Sequence, residues 1–252
     1  MTRPVGRHVA VIGAGIMGSA IATRLLACGH RVTVFDVNAD KVGGLVAKGA
    51  TAAVSAAHAA GTSEFVITSL NSATIVQAAV FGPEGVVQAD VAGKLLIDMS
   101  SIDPPSTRRL AADLKAHHAM GWVDAPLSGG APKALLGQLT VMAGGDAVDV
   151  LRARAVMDDL CANYTHMGPS GAGQTTKLVN QLLCAVSFQA LAEAVRLAEA
   201  GGVDANRLPQ ALAGGRADSQ ILREFGPRMA TRDFTPSGRI DNMLKDLEAV
   251  ST

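Results

Sequence analysis

The run His8-Val-Ala-Val-Ile-Gly-Ala-Gly-Ile-Met-Gly18 constrains this chain more than any other feature. Five residues that read as a buried strand break directly into glycines at positions 13, 15 and 18, and an apolar helical stretch, Met17–Gly29, follows. A second strand, Arg31–Asp36, ends on a carboxylate 18 residues past Gly18. In such a strand–loop–helix unit the first glycine permits a tight turn. The second lets the backbone approach a pyrophosphate, and the third lets helix and strand pack closely. The helix amino end adds free N–H groups and a positive dipole end. The pattern therefore predicts a dinucleotide held by Gly13, Ala14, Gly15, Ile16, Met17 and Gly18, with Asp36 on the ribose hydroxyls. A carboxylate there repels a 2′-phosphate, and Val37 and Asn38 bring no arginine to embrace one. Arg31 and Lys41 are close in sequence without being evidently aimed at the site. NAD is favoured, with NADP as the alternative cofactor.

Alternation continues to about residue 167. Glu64–Ser69, Lys94–Met99, Gly121–Asp124, Leu139–Ala143 and Asn163–Met167 read as further strands. Helices are predicted over Ser72–Val80, Pro104–His118 and Asp146–Leu160, the second with Asp103 as its cap and proline in its first turn. Near-continuous apolar strands between helices predict a doubly wound, mostly parallel sheet covered on both faces. After a glycine-rich stretch, Gly168–Gly173, the segment Gln174–Ala200 lacks proline and glycine and predicts one long helix ended by Gly201 and Gly202. Only shorter helical stretches follow. The expected division is an α/β cofactor domain over 1–167 and an all-α domain over 168–252.

Composition limits the partners. Lys+Arg and Asp+Glu both total 22, so no net field gathers nucleic acid or an anionic membrane, and 3% aromatics are too few for base-stacking platforms. Cys28, Cys161 and Cys184 fit no metal-ligand spacing, and three scattered thiols favour a reducing cytoplasmic setting. The apolar stretch Val9–Leu26 has its glycines at positions 13, 15 and 18 and Arg24 inside it, and reads as neither signal peptide nor membrane span. A small-molecule partner is expected, with no metal.

Two further polar patterns stand out. Lys177, Asn180, Gln181 and Cys184 fall at i, i+3, i+4 and i+7, on one face of the long helix. A buried unpartnered ammonium is costly, so the stripe either faces solvent or lines a polar cleft. In a cleft beside a nicotinamide, a lysine could exchange a hydroxyl proton while hydride moves. The turn Asp124-Ala-Pro-Leu-Ser-Gly-Gly130 is either a plain turn or a nest of N–H groups for a carboxylate.

Taken together the chain resembles the β-hydroxyacid dehydrogenase family, which includes 3-hydroxyisobutyrate dehydrogenase and tartronate semialdehyde reductase (2-hydroxy-3-oxopropionate reductase). The resemblance runs from His8 to the end, in the family's order. It rests on Gly13–Gly18, on Asp98-Met-Ser-Ser-Ile102, on Asp124–Gly130, on Gly171-Ala-Gly-Gln-Thr-Thr-Lys-Leu-Val-Asn180, and on Lys245-Asp-Leu247. It implies a Rossmann-type fold and reversible hydride transfer between NAD(P) and the alcohol carbon of a small β-hydroxy acid. Lys177 would be the general acid/base, with a pKa depressed by burial, and Asn180 a substrate ligand. Ser128, Gly129 and Gly130 would bind the substrate carboxylate. Ser101, where the family usually has threonine, would contact the cofactor, and Lys245 would reach it from the helical domain. The family's subunits commonly form dimers or tetramers.

Gln181 replaces a second asparagine seen in many members, which points toward the tartronate semialdehyde reductase branch. Thr252 follows closely on the Lys-Asp-Leu motif, where relatives continue for several helical turns. Phosphogluconate dehydrogenases carry a His-Asn pair that Lys177-Leu-Val-Asn-Gln181 lacks, and imine reductases commonly lack the lysine. A cofactor-binding protein without turnover is the alternative from a different class.

Overall fold

A computed structural model describes residues 6–235 together with residues 243, 244, 247 and 248. The strands β1 (His8–Ile12), β2 (Arg31–Phe35), β3 (Thr51–Ala52), β4 (Phe65–Thr68), β5 (Leu95–Asp98) and β6 (Gly121–Asp124) are parallel. They lie in the order β3-β2-β1-β4-β5-β6. Between them run α1 (Ile16–Ala27), α2 (Asp40–Val46), α3 (Ala56–Gly61), α4 (Ala73–Phe81) and α5 (Pro104–His118). The chain goes on through β7 (Leu127–Ser128), α6 (Gly130–Leu136), β8 (Leu139–Gly145), α7 (Ala147–Met157) and β9 (Cys161–Gly168). There β8 is antiparallel to β6 and β7, and β9 pairs parallel with β8. The order turns back between β1 and β4, the place where an open α/β sheet forms its ligand crevice.

Alternate residues of one strand serve two cores. Val9 and Val11 of β1 join one apolar cluster with Ile21, Leu25 and Ile97, whereas Ala10 and Ile12 join another with Val66, Leu96 and Leu110. A strand buried on both faces has no reason to alternate polar and apolar residues, which explains its continuous apolar sequence. Asp103 caps α5 as expected, accepting a hydrogen bond from the Ser106 N–H at 2.7 Å.

The long helix α8 (Ala172–Ala200) starts two residues earlier than its sequence predicts. Only Pro169, Ser170 and Gly171 separate it from β9, so the glycines read as a linker are mostly packed structure. The cause is a cap supplied from far away in sequence, described below. By Cα proximity the chain divides into Met1–Lys177 and Leu178–Thr252, with α8 contributing to both units.

The second unit contains α9 (Leu208–Ala211) and α10 (Gln220–Ala230) and no strand among its described residues. Its core gathers Leu191 and Val195 of α8 with Ala205 and Leu222, and Phe225 packs edge-on to Phe188 at 4.8 Å. Another face of α8 is apolar yet open: Val179, Leu182, Leu183 and Val186 are 45–63% exposed. By length and mean hydropathy alone (1.4 over its most apolar 18 residues) α8 could span a bilayer, a property that helices of soluble proteins also reach.

Candidate active site

The motif residues of the first unit gather at the carboxyl ends of the parallel strands. Gly13 leaves β1 with φ +100°, and its N–H donates to the Phe35 carbonyl at 2.8 Å. A Cβ on Gly18 would lie 1.8 Å from the Gly13 carbonyl oxygen, so the loop and the first turn of α1 touch backbone to backbone. Gly15, the N-cap of α1, has no side chain to satisfy the helix N–H groups, and a Cβ there would meet nothing within 4 Å. The donors at this helix end therefore face outward, as a pyrophosphate requires. Asp36 accepts from the Ala14 N–H at 2.7 Å and the Asn38 N–H at 2.9 Å, which fixes its carboxylate beside the loop. A carboxylate has about four acceptor positions, so capacity remains for ribose hydroxyls. Lys41 is closer than its sequence position suggests: its Nζ is 3.6 Å from Asp36 Oδ1. Ile16, within the loop, and Val37, next to Asp36, are both exposed.

Further along the sheet, Asp98 and Asp124 are register partners at the ends of β5 and β6. Asp98 is fully buried, accepts from Thr68 Oγ1 at 2.8 Å and the Ser100 N–H at 3.1 Å, and keeps its Oδ2 without a partner. Burial pushes its pKa up to about 6. Burial also raises the pKa of Asp124, against the hydrogen bonds that favour its charged form. Those bonds come from the start of α8: the Gly171 N–H donates at 2.9 Å and the Gln174 N–H at 3.1 Å. Asp124 is thus a remote cap for α8. The contact demands glycine, because a Cβ on Gly173 would sit 2.5 Å from the Met142 carbonyl oxygen and 2.7 Å from that of Asp124.

One turn beyond Gln174, Lys177 is 8% exposed. Its Nζ donates to the Leu127 carbonyl at 2.9 Å, next to Ser128 on β7. Of the two settings open to this lysine, burial excludes the solvated one. Gly129 and Gly130 both have positive φ, at +121° and +69°, where the Ser128 turn passes into α6. Ser101 lies between β5 and α5, two residues before the α5 cap. The structure therefore brings Ser128 and Lys177 together at the strand ends where Ser101 and the Gly13–Gly18 loop also lie.

Asn180 belongs to the second unit, where its Nδ2 donates to Gln181 Oε1 at 3.0 Å and contacts Cys184 Sγ at 3.7 Å. Lys245 lies outside the described residues. Three residues in this network had no individual role in the sequence: Asp98, Asp124 and Gln174. Each was present only as a letter inside a longer motif.

A cavity of about 710 Å³ lies at the opposite, amino ends of β4 and β5, lined among others by Arg7, Ser63, Lys94 and Arg152. None of the motif residues reaches it. Its cations are already engaged, Lys94 by the Ala60 and Gly61 carbonyls and Arg152 by that of Gly93.

Two family models cover the chain. One, described as the NAD binding domain of 6-phosphogluconate dehydrogenase, matches residues 8–168. The other, the NAD-binding domain of NADP-dependent 3-hydroxyisobutyrate dehydrogenase, matches residues 171–252. The 2-hydroxy-3-oxopropionate reductase of Escherichia coli (strain K12) is 36% identical over 94% of this chain and 80% of its own length. An NAD-dependent L-serine dehydrogenase of Pseudomonas aeruginosa is 35% identical, over 96% of this chain and 83% of its own. The structure of Mycobacterium tuberculosis 3-hydroxyisobutyrate dehydrogenase with L-serine superposes with a TM-score of 0.87 at 31% identity. That match covers 98% of this chain and 86% of the other.

Proposed function

This chain belongs to the β-hydroxyacid dehydrogenase family and is an NAD(P)-dependent hydroxy acid oxidoreductase, and on that premise we propose that Lys177 is its general acid/base. The observation that carries this reading is the buried Lys177 ammonium, 2.9 Å from the Leu127 carbonyl beside Ser128. The nicotinamide supplies the hydride acceptor in oxidation and the donor in reduction. As the neutral amine, Lys177 takes the hydroxyl proton of the substrate in the oxidative direction, and as the resulting ammonium it returns a proton to the carbonyl oxygen in the reductive one. Ser128 and the N–H groups of Gly129 and Gly130 hold the substrate carboxylate. Asn180, three residues after Lys177 on α8, is the expected substrate amide. The loop Gly13–Gly18 holds the pyrophosphate, and Ser101 contacts the cofactor.

Substrates of this reading are short acids with a neighbouring alcohol, of the glycerate/tartronate semialdehyde or 3-hydroxyisobutyrate type; the names of the relatives support that class. Replacing Lys177 with alanine removes the proton carrier and leaves the glycine loop alone. Turnover is expected to fall by about 10²–10⁴-fold with NAD affinity nearly unchanged. Substantial residual turnover of NADH with tartronate semialdehyde would sink the assignment.

We favour NAD over NADP because Asp36 competes with a 2′-phosphate. Lys41 beside it narrows that preference, so Lys41→Ala is expected to raise the NAD:NADP ratio of kcat/KM. A fall in that ratio would show that Lys41 supports the preference for NAD instead of narrowing it. We also propose a cytoplasmic homo-oligomer that covers the apolar face of α8, with residues 168–252 as the substrate and oligomerisation domain. Sedimentation of the full chain as a monomer would overturn the oligomer.

A further inference from the structure

Gln174 is 1% exposed, and its backbone and side chain together make three hydrogen bonds to two different strand ends. Its backbone N–H donates to Asp124 Oδ2 at 3.1 Å, its Nε2 donates to the Ser100 carbonyl at 2.8 Å, and its Oε1 accepts from the Ile102 N–H at 3.3 Å. Ser100 and Ile102 flank Ser101. The amide can face only one way, because Ser100 presents an acceptor and Ile102 a donor. Three residues on, in the next turn of the same helix, Lys177 donates to the Leu127 carbonyl. Asp124 begins the segment that carries Leu127 and Ser128.

We propose that Gln174 is a positioning residue that sets Lys177 in register with the Ser101 loop. The proposal rests on the reading of Lys177 as the acid/base. Physically, a long helix anchored by one cap can still rotate or tilt about that cap. A second anchor on the β5–α5 loop removes that freedom and transmits the position of Ser101 to the helix turn below the lysine. Proton transfer at Lys177 depends on its distance from the substrate oxygen, and a displacement of about 1 Å can cost about a hundredfold in rate. The side chain suits the task. Glutamine supplies a donor and an acceptor on one planar group, so it bridges a carbonyl and an N–H two residues apart, which neither lysine nor glutamate does at neutral pH.

Two variants test this in the full chain, with Lys177→Ala alongside. Gln174→Met removes both side-chain bonds at similar volume. Gln174→Glu keeps the acceptor toward Ile102 but offers a donor to Ser100 only when protonated. For folded Gln174→Met, kcat is expected to fall about tenfold to a hundredfold. The pH–rate limb that disappears in Lys177→Ala should also shift. For Gln174→Glu, the ratio of its kcat to wild type is expected to rise as pH falls through the carboxyl's titration. A folded Gln174→Met with wild-type kcat and an unmoved pH limb, even if its Tm drops, overturns the proposal. If that variant does not fold, a pH-independent ratio for Gln174→Glu overturns it. Activity persisting in Lys177→Ala refutes the acid/base reading instead, so the two failures are separate.

Discussion

Two helices begin at the same edge of the sheet behind closely spaced glycines, α1 after Gly13-Ala-Gly15 and α8 around Gly171-Ala-Gly173. Their first turns meet opposite fates. The amino end of α1 starts at Gly15 with no side-chain cap, and open space lies on the side a Cβ would occupy. The amino end of α8 is closed by Asp124, which accepts from Gly171 and Gln174. Similar glycine spacing thus serves ligand approach in one place and protein packing in the other. What distinguishes them is where the carboxylate binds: Asp124 reaches an N–H of the first helical turn at Gln174, whereas on the α1 side Asp36 reaches only Ala14, ahead of the cap.

The sharpest way to break this contrast is one methyl group at each start. At Gly173 a Cβ would be 2.5 Å from the Met142 carbonyl oxygen, so Gly173→Ala forces the helix off the sheet. A destabilisation of about 3 kcal/mol is expected by thermal or urea unfolding. Gly15 has φ −66° and room for a Cβ, so Gly15→Ala should keep its stability. Its NAD affinity, measured by titration calorimetry, should fall by about tenfold or more because the methyl group stands where the pyrophosphate must approach. If Gly15→Ala instead loses stability and keeps its affinity, the two helix starts are not different in kind.

A smaller effect probes the anion itself. Asp124→Ala leaves the N–H groups of Gly171 and Gln174 without their acceptor in a buried place. Loss of the bonds costs stability, and release of a desolvated carboxylate offsets part of it. The net is expected to be about 2 kcal/mol of lost stability with the α1 loop still able to bind NAD. An unchanged urea midpoint would mean that Asp124 does not hold α8 in place.

The contrast also marks what a single sequence discloses. The α1 loop was legible because strand, glycines, helix and Asp36 are consecutive, and local spacing carries the whole argument. Lys177 and Asn180 were legible as one helix face, yet their spacing alone left a solvated stripe open until burial at Lys177 closed it. The start of α8 at Ala172 was not legible. Its cap lies 47–50 residues upstream, and no local propensity encodes that distance. For the same reason Gln174 passed as one more polar residue at the edge of a helix. Short elements escaped for local reasons. Helix α2 contains Gly43 and Gly44, and β3 and β7 are two residues each, too short to show any period. The separation of Lys41 from Asp36 in sequence says nothing of where α2 turns its side chain.

A pH-dependent effect separates the paired carboxylates. Asp124 has a helix start to satisfy it, whereas Asp98 has only Thr68 and Ser100, and its Oδ2 has no partner. Burial outweighs the hydrogen bonds at both carboxylates, and at Asp98 it raises the pKa from 3.8 to about 6. A group whose folded pKa lies above its unfolded value binds its proton more tightly when folded. Its neutral form stabilises the fold below about pH 4, and that stabilisation is lost as pH rises to about 6. Asn in place of Asp98 keeps the acceptor for Thr68 and Ser100 and cannot ionise. The stability of Asp98→Asn relative to wild type should therefore grow by about 2 kcal/mol between about pH 4 and 6 and level off above about pH 7. Urea unfolding of both proteins at matched pH isolates this group, since every other carboxylate titrates in both. A difference that stays constant from pH 4 to 8 would mean that Asp98 is satisfied in its charged form and that burial does not govern its titration.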